Sequence, residues 1–175
     1  MKASDLFVKC LETEGVTKIF GIPGEENADL MISLKKSKIE FVLCRHEQAA
    51  AFMADVYGRL TGKAGVCLAT LCPGVTNLMT GLADANMDRA PVVAIIGQGS
   101  TERLHKESHQ IMDSISMVAP ISKWAQTILS AKNVTEVVRK AFKVAETEKP
   151  GVTVIELPED VAKEEVNENP IKPSL

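Results

Sequence analysis

A glutamate at a strand-to-helix junction is the residue of this chain best placed to do chemistry. Glu47 lies in the stretch Arg45-His46-Glu47-Gln48-Ala49-Ala50-Ala51-Phe52-Met53-Ala54. Before it, Ile39-Glu40-Phe41-Val42-Leu43-Cys44 reads as a buried strand. After it, small and apolar residues through Tyr57-Gly58-Arg59 read as a helix that packs very close to its neighbours. In an open α/β sheet, ligands bind in the crevice outside the carboxyl ends of the strands. A carboxylate held there among alanines can exchange a proton with a ligand near neutral pH. By position alone, Glu47 serves equally well as a first-turn glutamate favoured by the helix dipole.

Three other segments fall at the carboxyl ends of predicted strands. They are Gly21-Ile22-Pro23-Gly24, Thr70-Leu71-Cys72-Pro73-Gly74-Val75-Thr76-Asn77, and the polar loop that ends at His109-Gln110. If the strands run parallel, these loops meet Glu47 on one edge of the sheet. One carboxylate, glycines that permit close backbone approach, and the amides of Asn77 and Gln110 suit a flat heteroaromatic ligand needing a proton at a ring nitrogen. The same residues also read as ordinary turns, with Asn77 near a helix start. Rival chemistries lack their motifs: there is no G-x-x-x-x-G-K-[ST], no G-x-G-x-x-G after the first strand and no G-x-S-x-G. Gly97-Gln98-Gly99 is only a fragment of a dinucleotide fingerprint, and His46, His105 and His109 are not spaced as metal ligands on one helix face.

The elements that must position these residues alternate. Leu6, Phe7, Cys10 and Leu11 give a helix over residues 3–14, stopped by Gly15. A strand follows at 17–20, a helix at about 26–36, a strand at 39–44 and the helix from Glu47. Strands at 65–70 and 91–97 flank a helix from Val75 to Met87; the second is a continuous apolar run of the kind buried on both faces. Residues 99–110 read as an exposed polar loop. A short helix near 112–118, a strand near 121–127, a helix to about 147 and a last strand at 152–157 complete the pattern. Asn133-x-x-Glu136 offers a capping box for that last helix. The expectation is an α/β fold: about six strands in a mostly parallel sheet with helices on both faces. One domain spans residues 1–162, and residues 163–175 read as a linker rich in Glu, Asn, Lys and Pro.

Composition narrows the partners. The chain has 175 residues, 45% hydrophobic and 25% charged, which suits one soluble domain with a proper core. A net charge of −3 gives no electrostatic case for nucleic acid or an anionic membrane. No apolar run approaches the roughly 20 residues that span a bilayer, and the first residues lack the apolar core of a signal peptide, so a cytoplasmic setting is expected. Cys10, Cys44, Cys67 and Cys72 show no paired metal spacing. The first three lie in apolar stretches and read as core thiols, whereas Cys72 falls in a glycine-turn loop.

Taken together, Gly21-Ile-Pro-Gly24, Arg45 to Ala54, Pro73-Gly-Val-Thr-Asn77 and Pro91-Val-Val-Ala-Ile-Ile-Gly-Gln98 carry a family likeness. Over residues 1–160 the chain resembles the amino-terminal, pyrimidine-binding domain of thiamine-diphosphate enzymes, nearest to the acetolactate synthase group. His109-Gln110-Ile111-Met112-Asp113 with Pro120-Ile-Ser-Lys123 is similar to the catabolic, flavin-independent type, so FAD is not expected.

The resemblance implies that Glu47 hydrogen-bonds N1′ of the cofactor's aminopyrimidine and promotes its imino tautomer, whose nitrogen removes the C2 proton. It implies that Gly21, Pro23, Gly24, Pro73, Gly74, Asn77 and Gln110 line the cofactor or substrate side. The implied reaction joins two pyruvates to 2-acetolactate with loss of CO₂. Alternatives are another 2-oxo-acid enzyme of the family (pyruvate oxidase, glyoxylate carboligase or a two-chain sulfopyruvate-type decarboxylase) or a non-catalytic binding and assembly module. No Gly-Asp-Gly occurs, so Mg²⁺ and the diphosphate are expected to be held by a domain outside this chain. The expected partner is the diphosphate-binding domain of another subunit, in a homodimer or larger assembly, with the isolated chain inactive. Ala49, Ala50, Ala51, Ala54, Gly81, Ala83 and Ala85 permit close helix approach, either at that contact or within one chain. Where the family usually has Ser-Gly before Pro-Gly, this chain has Leu71-Cys72, and a cysteine tolerates glycine's backbone angles poorly, so a reshaped loop is expected.

Overall fold

The computed structural model describes residues 1–173. Its elements run α1 (Ala3–Thr13), β1 (Lys18–Gly21), α2 (Ala28–Leu34), β2 (Glu40–Leu43), α3 (Glu47–Thr61), β3 (Gly65–Ala69) and α4 (Gly74–Met87). They continue with β4 (Val92–Gln98), α5 (Ser114–Val118), β5 (Trp124–Thr127), α6 (Val134–Glu146), β6 (Val152–Pro158) and α7 (Glu159–Lys163). Every strand pair is parallel, and the strand order is β2-β1-β3-β4-β6-β5. The expected six-stranded α/β architecture is therefore present. From β1 the chain moves to β2 on one side and then crosses to β3 on the other, so the ends of β1 and β3 lie at a topological switch point.

Side chains alternate along the central strands and so divide the core into two layers. Val66 and Leu68 of β3 and Val93 and Ile95 of β4 pack with α1, α2, α6 and α7. Cys67 and Ala69 of β3 and Ala94 of β4 face α3, α4 and α5 instead. The second layer is built from small residues, so its helices lie close to the sheet. A β-carbon on Gly65 would sit 2.0 Å from the Ala54 carbonyl oxygen, and one on Gly81 only 2.6 Å from Ala51 Cβ. Ala50, Ala51, Ala54, Gly81 and Ala85 are thus buried between elements of one chain. Burial pushes the Cys10 and Cys67 thiols up to about 12, which keeps them protonated core groups.

Three sequence-based expectations are corrected. β2 is an edge strand rather than a buried one: Glu40 is exposed and Leu43 is 70% exposed. An apolar run does not distinguish an edge from a centre, because that depends on which strands pair. The Asn133 capping box does not form either. Ser130 accepts from Lys132 N at the start of a 3-10 turn that leads into α6, and Thr135 Oγ1 donates to the Glu136 carboxylate at 2.8 Å. α2 is also shorter than expected, since Glu25 to Asn27 form a turn in which Asn27 Oδ1 accepts from Gly24 N at 2.8 Å.

One clasp holds α3 to α4 at their exposed rim. Arg59 donates to Asp55 (2.7 Å), Asp84 (3.0 Å) and Asp88 (2.6 Å). Asp55 is only 2% exposed, so removing the guanidinium strands a buried carboxylate. Breaking a buried pair costs about 3–5 kcal/mol, but Arg59 is 38% exposed and partly screened. Arg59→Met is therefore expected to cost about 2 kcal/mol in urea unfolding, and a loss within the scatter of surface substitutions would show that solvent rehydrates Asp55.

The chain returns to its own start. Ala3 N donates to Glu164 O, and Met1 and Val166 exchange two hydrogen bonds, Met1 N to Val166 O at 3.0 Å and Val166 N to Met1 O at 2.9 Å. Val166 is buried in the core layer that holds α1 and α7. Among the described residues, no helix is long and apolar enough to cross a membrane.

Candidate functional site

Glu47 opens α3, and its neighbour His46 caps that helix by accepting from Gln48 N through Nδ1 at 3.2 Å. Glu47 itself is 9% exposed. Its Oε2 accepts from Asn77 Nδ2 at 3.0 Å. Asn77 lies in the first turn of α4, where its own N–H donates to Pro73 O and Thr76 Oγ1 donates to the same carbonyl. The helix start thereby fixes the amide that fixes the carboxylate. Gly74 completes the contact: a β-carbon there would lie 3.2 Å from Glu47 Oε1 and 3.4 Å from Ala69 Cβ. The carboxylate thus rests over the amino end of α4, where the helix dipole favours negative charge. No hydrogen bond reaches Oε1 among the described residues, which leaves it able to hydrogen-bond a ligand.

The loops after β1 and β3 close on each other at the switch point. Ile22 N donates to Leu68 O at 3.2 Å, and a β-carbon on Gly21 would strike that same oxygen at 2.4 Å. Gly24 is as tight, since its β-carbon would meet Thr70 Cβ at 2.5 Å. Pro23 is exposed between them. Gly21 and Gly24 therefore seat one loop against the other, while Gly74 admits the carboxylate.

Gln110 stands apart from this group. It is exposed, its backbone is left-handed (φ +59°), and it shares no hydrogen bond with Glu47 or Asn77. Glu26 and Asn27 are at the switch point, although nothing in the sequence singles them out. Glu26 Oε2 accepts from Thr70 Oγ1 at 3.0 Å, and Asn27 is 5% exposed with its Nδ2 unpartnered. Two acidic residues followed by Asn look like a polar helix start. Only the Gly24–Asn27 hydrogen bond reveals a turn.

Cys72 does not adopt the backbone angles that favour glycine. Among the described residues, the non-glycine residues with positive φ are Arg89, His105 and Gln110. Leu71 and Cys72 are both buried, and Cys72 Sγ lies 3.8 Å from Ser114 Oγ. Burial pushes the Cys72 thiol up, against opposing contacts from Ser114 and the Thr76 backbone.

Residues 1–117 match the family described as "Thiamine pyrophosphate enzyme, N-terminal TPP binding domain". A catabolic acetolactate synthase of Raoultella terrigena is 44% identical over 90% of this chain and 28% of its own length. An acetolactate synthase of Bacillus subtilis is 40% identical over 95% of the chain and 29% of its own. A probable acetolactate synthase large subunit of Methanocaldococcus jannaschii is 41% identical over 95% and 28%. The chain thus spans less than a third of the length of the relatives it matches. The matched residues contain β1 to β4, the switch point and the Glu47–Asn77 pair, so sequence likeness and site geometry point the same way: this chain belongs to the thiamine pyrophosphate enzymes, as an N-terminal TPP binding domain.

Proposed function

We propose that this chain supplies the pyrimidine-binding half of a thiamine-diphosphate-dependent acetolactate synthase, in which two pyruvates give 2-acetolactate and CO₂. The observation that carries the reading is the Glu47 carboxylate, held through one oxygen by Asn77 and offering the other beside Gly74. That arrangement would suit an aminopyrimidine, with Glu47 Oε1 holding a ring nitrogen and Gly74 leaving room beside it. Bound there, the cofactor supplies an electron sink for the carbanion left by decarboxylation. The chain's own part is proton traffic and placement. Glu47 Oε1 holds a proton against the ring nitrogen and exchanges it, while Asn77 Nδ2 keeps the carboxylate from rotating away. Gly21, Pro23 and Gly24 form the neighbouring wall, and Pro73 starts the helix whose amino end faces Glu47. Gln110 is assigned to the substrate side.

The names of the relatives support the acetolactate reaction, and their greater length supports placing Mg²⁺ and diphosphate in a domain outside these 175 residues. The outer face of α3 supports a partner. Met53, Val56 and Leu60 are 45%, 50% and 82% exposed, and with Phe20, Phe52 and Tyr57 they line an open apolar groove. An apolar face of this kind suits association with the diphosphate-binding domain of another subunit in a homodimer or larger assembly.

Nuclear magnetic resonance titration of the chain with thiamine diphosphate tests the site without requiring turnover. The pyrimidine contacts are a few hydrogen bonds worth about 1 kcal/mol each, set against an association cost of at least ~4 kcal/mol. Binding at about millimolar Kd is expected, with shifts at the Glu47, Gly74 and Asn77 amides. Shifts confined to other surfaces would overturn the assignment, and micromolar affinity would place the diphosphate anchor within this chain.

A further inference from the structure

Away from Glu47, a second buried polar cluster joins the carboxyl ends of β4, β5 and β6. Gln98, the last residue of β4, is 2% exposed, and Glu156 of β6 is 4% exposed. Gln98 Nε2 donates to Met112 O at 3.0 Å and to Glu156 Oε1 at 3.1 Å, and its Oε1 accepts from Gly99 N at 3.0 Å. Glu156 Oε2 in turn accepts from Thr127 Oγ1 of β5 at 2.6 Å. These partners fix the orientation of the Gln98 amide, since a flipped amide would set its oxygen against two acceptors. Burial pushes the Glu156 carboxyl up, and the bonds from Thr127, Gln98 and Ser114 oppose it.

The loop between β4 and α5 depends on this amide. Its outgoing leg is pinned by Asp160, which accepts from Thr101 N and Oγ1. Its tip is largely exposed and has little core of its own. Its returning leg, which carries Gln110, is tied to the sheet by the Gln98–Met112 hydrogen bond, with Ile111 folded against Gly99. One side chain therefore bonds both the first residue of the loop and the carbonyl where it returns. Glutamate at position 98 would lack the donors, and asparagine would lack the reach.

We propose that Gln98 is a positioning residue: its amide ties down the returning leg of the loop and so sets where Gln110, assigned above to the substrate side, stands. The proposal rests on the function given above only for the importance of Gln110, not for the tie.

Exchanging the pair separates the tie from the fold. In the double variant Gln98→Glu with Glu156→Gln, the amide now at position 156 donates to the carboxylate now at position 98. Gly99 N keeps an acceptor, but Met112 O loses its donor from position 98 and keeps only the local bonds from Ser114. Gln98→Met keeps the volume and removes the donors without placing two carboxylates together. Amide hydrogen exchange on the 175-residue chain is the readout. It follows Ile111 N–H, bonded to Ser108 O, and Ser114 N–H, bonded to Met112 O, with Thr101 N–H as control. In both variants, exchange at Ile111 and Ser114 is expected to speed up by about tenfold while Thr101 is unchanged. The swapped pair is expected to unfold close to the wild-type temperature. Wild-type exchange at Ile111 and Ser114 in either variant would overturn the proposal. No cofactor enters the measurement, so the result is independent of the cofactor reading.

Discussion

Replacing Glu47 with glutamine is expected to lower turnover of the assembled enzyme by about 10²–10⁴, the usual contribution of a positioned acid–base group. The reason is local. An amide in place of the carboxylate still accepts from Asn77 Nδ2, so the side chain keeps its place, but it has no proton to exchange with a ring nitrogen. The thermal midpoint of the variant chain is therefore expected to stay close to that of the wild type. The pairing of these two outcomes, a large kinetic loss with little loss of stability, identifies a chemical role. Turnover within a few-fold of wild type would remove Glu47 from the chemistry.

The largest expected effect on stability comes from a single methyl group. In Gly65→Ala the new carbon would lie 2.0 Å from the Ala54 carbonyl oxygen and 2.9 Å from Ala54 Cα. Both atoms belong to the backbone of α3, so no side chain can swing aside. Relief requires α3 to lift from β3, which also drags Ala51 away from Gly81. Overpacking typically costs 1–3 kcal/mol, and a backbone clash falls at the top of that range, so a loss of about 3 kcal/mol or more is expected in urea unfolding. Lifting α3 also moves Glu47 relative to Asn77, so the variant's Glu47 and Asn77 amide resonances are expected to shift. A loss below about 1 kcal/mol would mean that the layer accommodates the methyl by a small sliding of the helix.

Much of this is legible in the residues because local chemistry and the global arrangement agree. Alternating apolar runs and Gly/Pro punctuation locate the strands and helices, and Glu47 is read at a helix start because the small residues after it admit only close packing. The Glu47–Asn77 pair is less visible, since 30 residues separate its members and only the crossover from β2 to β3 brings them together. What sequence could not supply is information that lives in pairing. β2 reads as buried because its residues are apolar, and only the strand order shows it at an edge. Asn133 and Glu136 have the right spacing for a cap, yet nearby Ser130 and Thr135 capture the roles. Leu71-Cys72 is expected to strain the loop through backbone angles, but Cys72 lies outside the positive-φ region and both side chains are buried. Gln98 reads as part of a weak glycine motif, and its bond to Glu156 emerges only once β4 and β6 are neighbours.

The reciprocal hydrogen bonds between Met1 and Val166 have a topological consequence. A polypeptide that enters at one and leaves after the other crosses a single seam. A unit with its ends joined in this way can be spliced into a longer chain, or moved between chains, without stretching any of its strands, because the host sees one point of attachment instead of two.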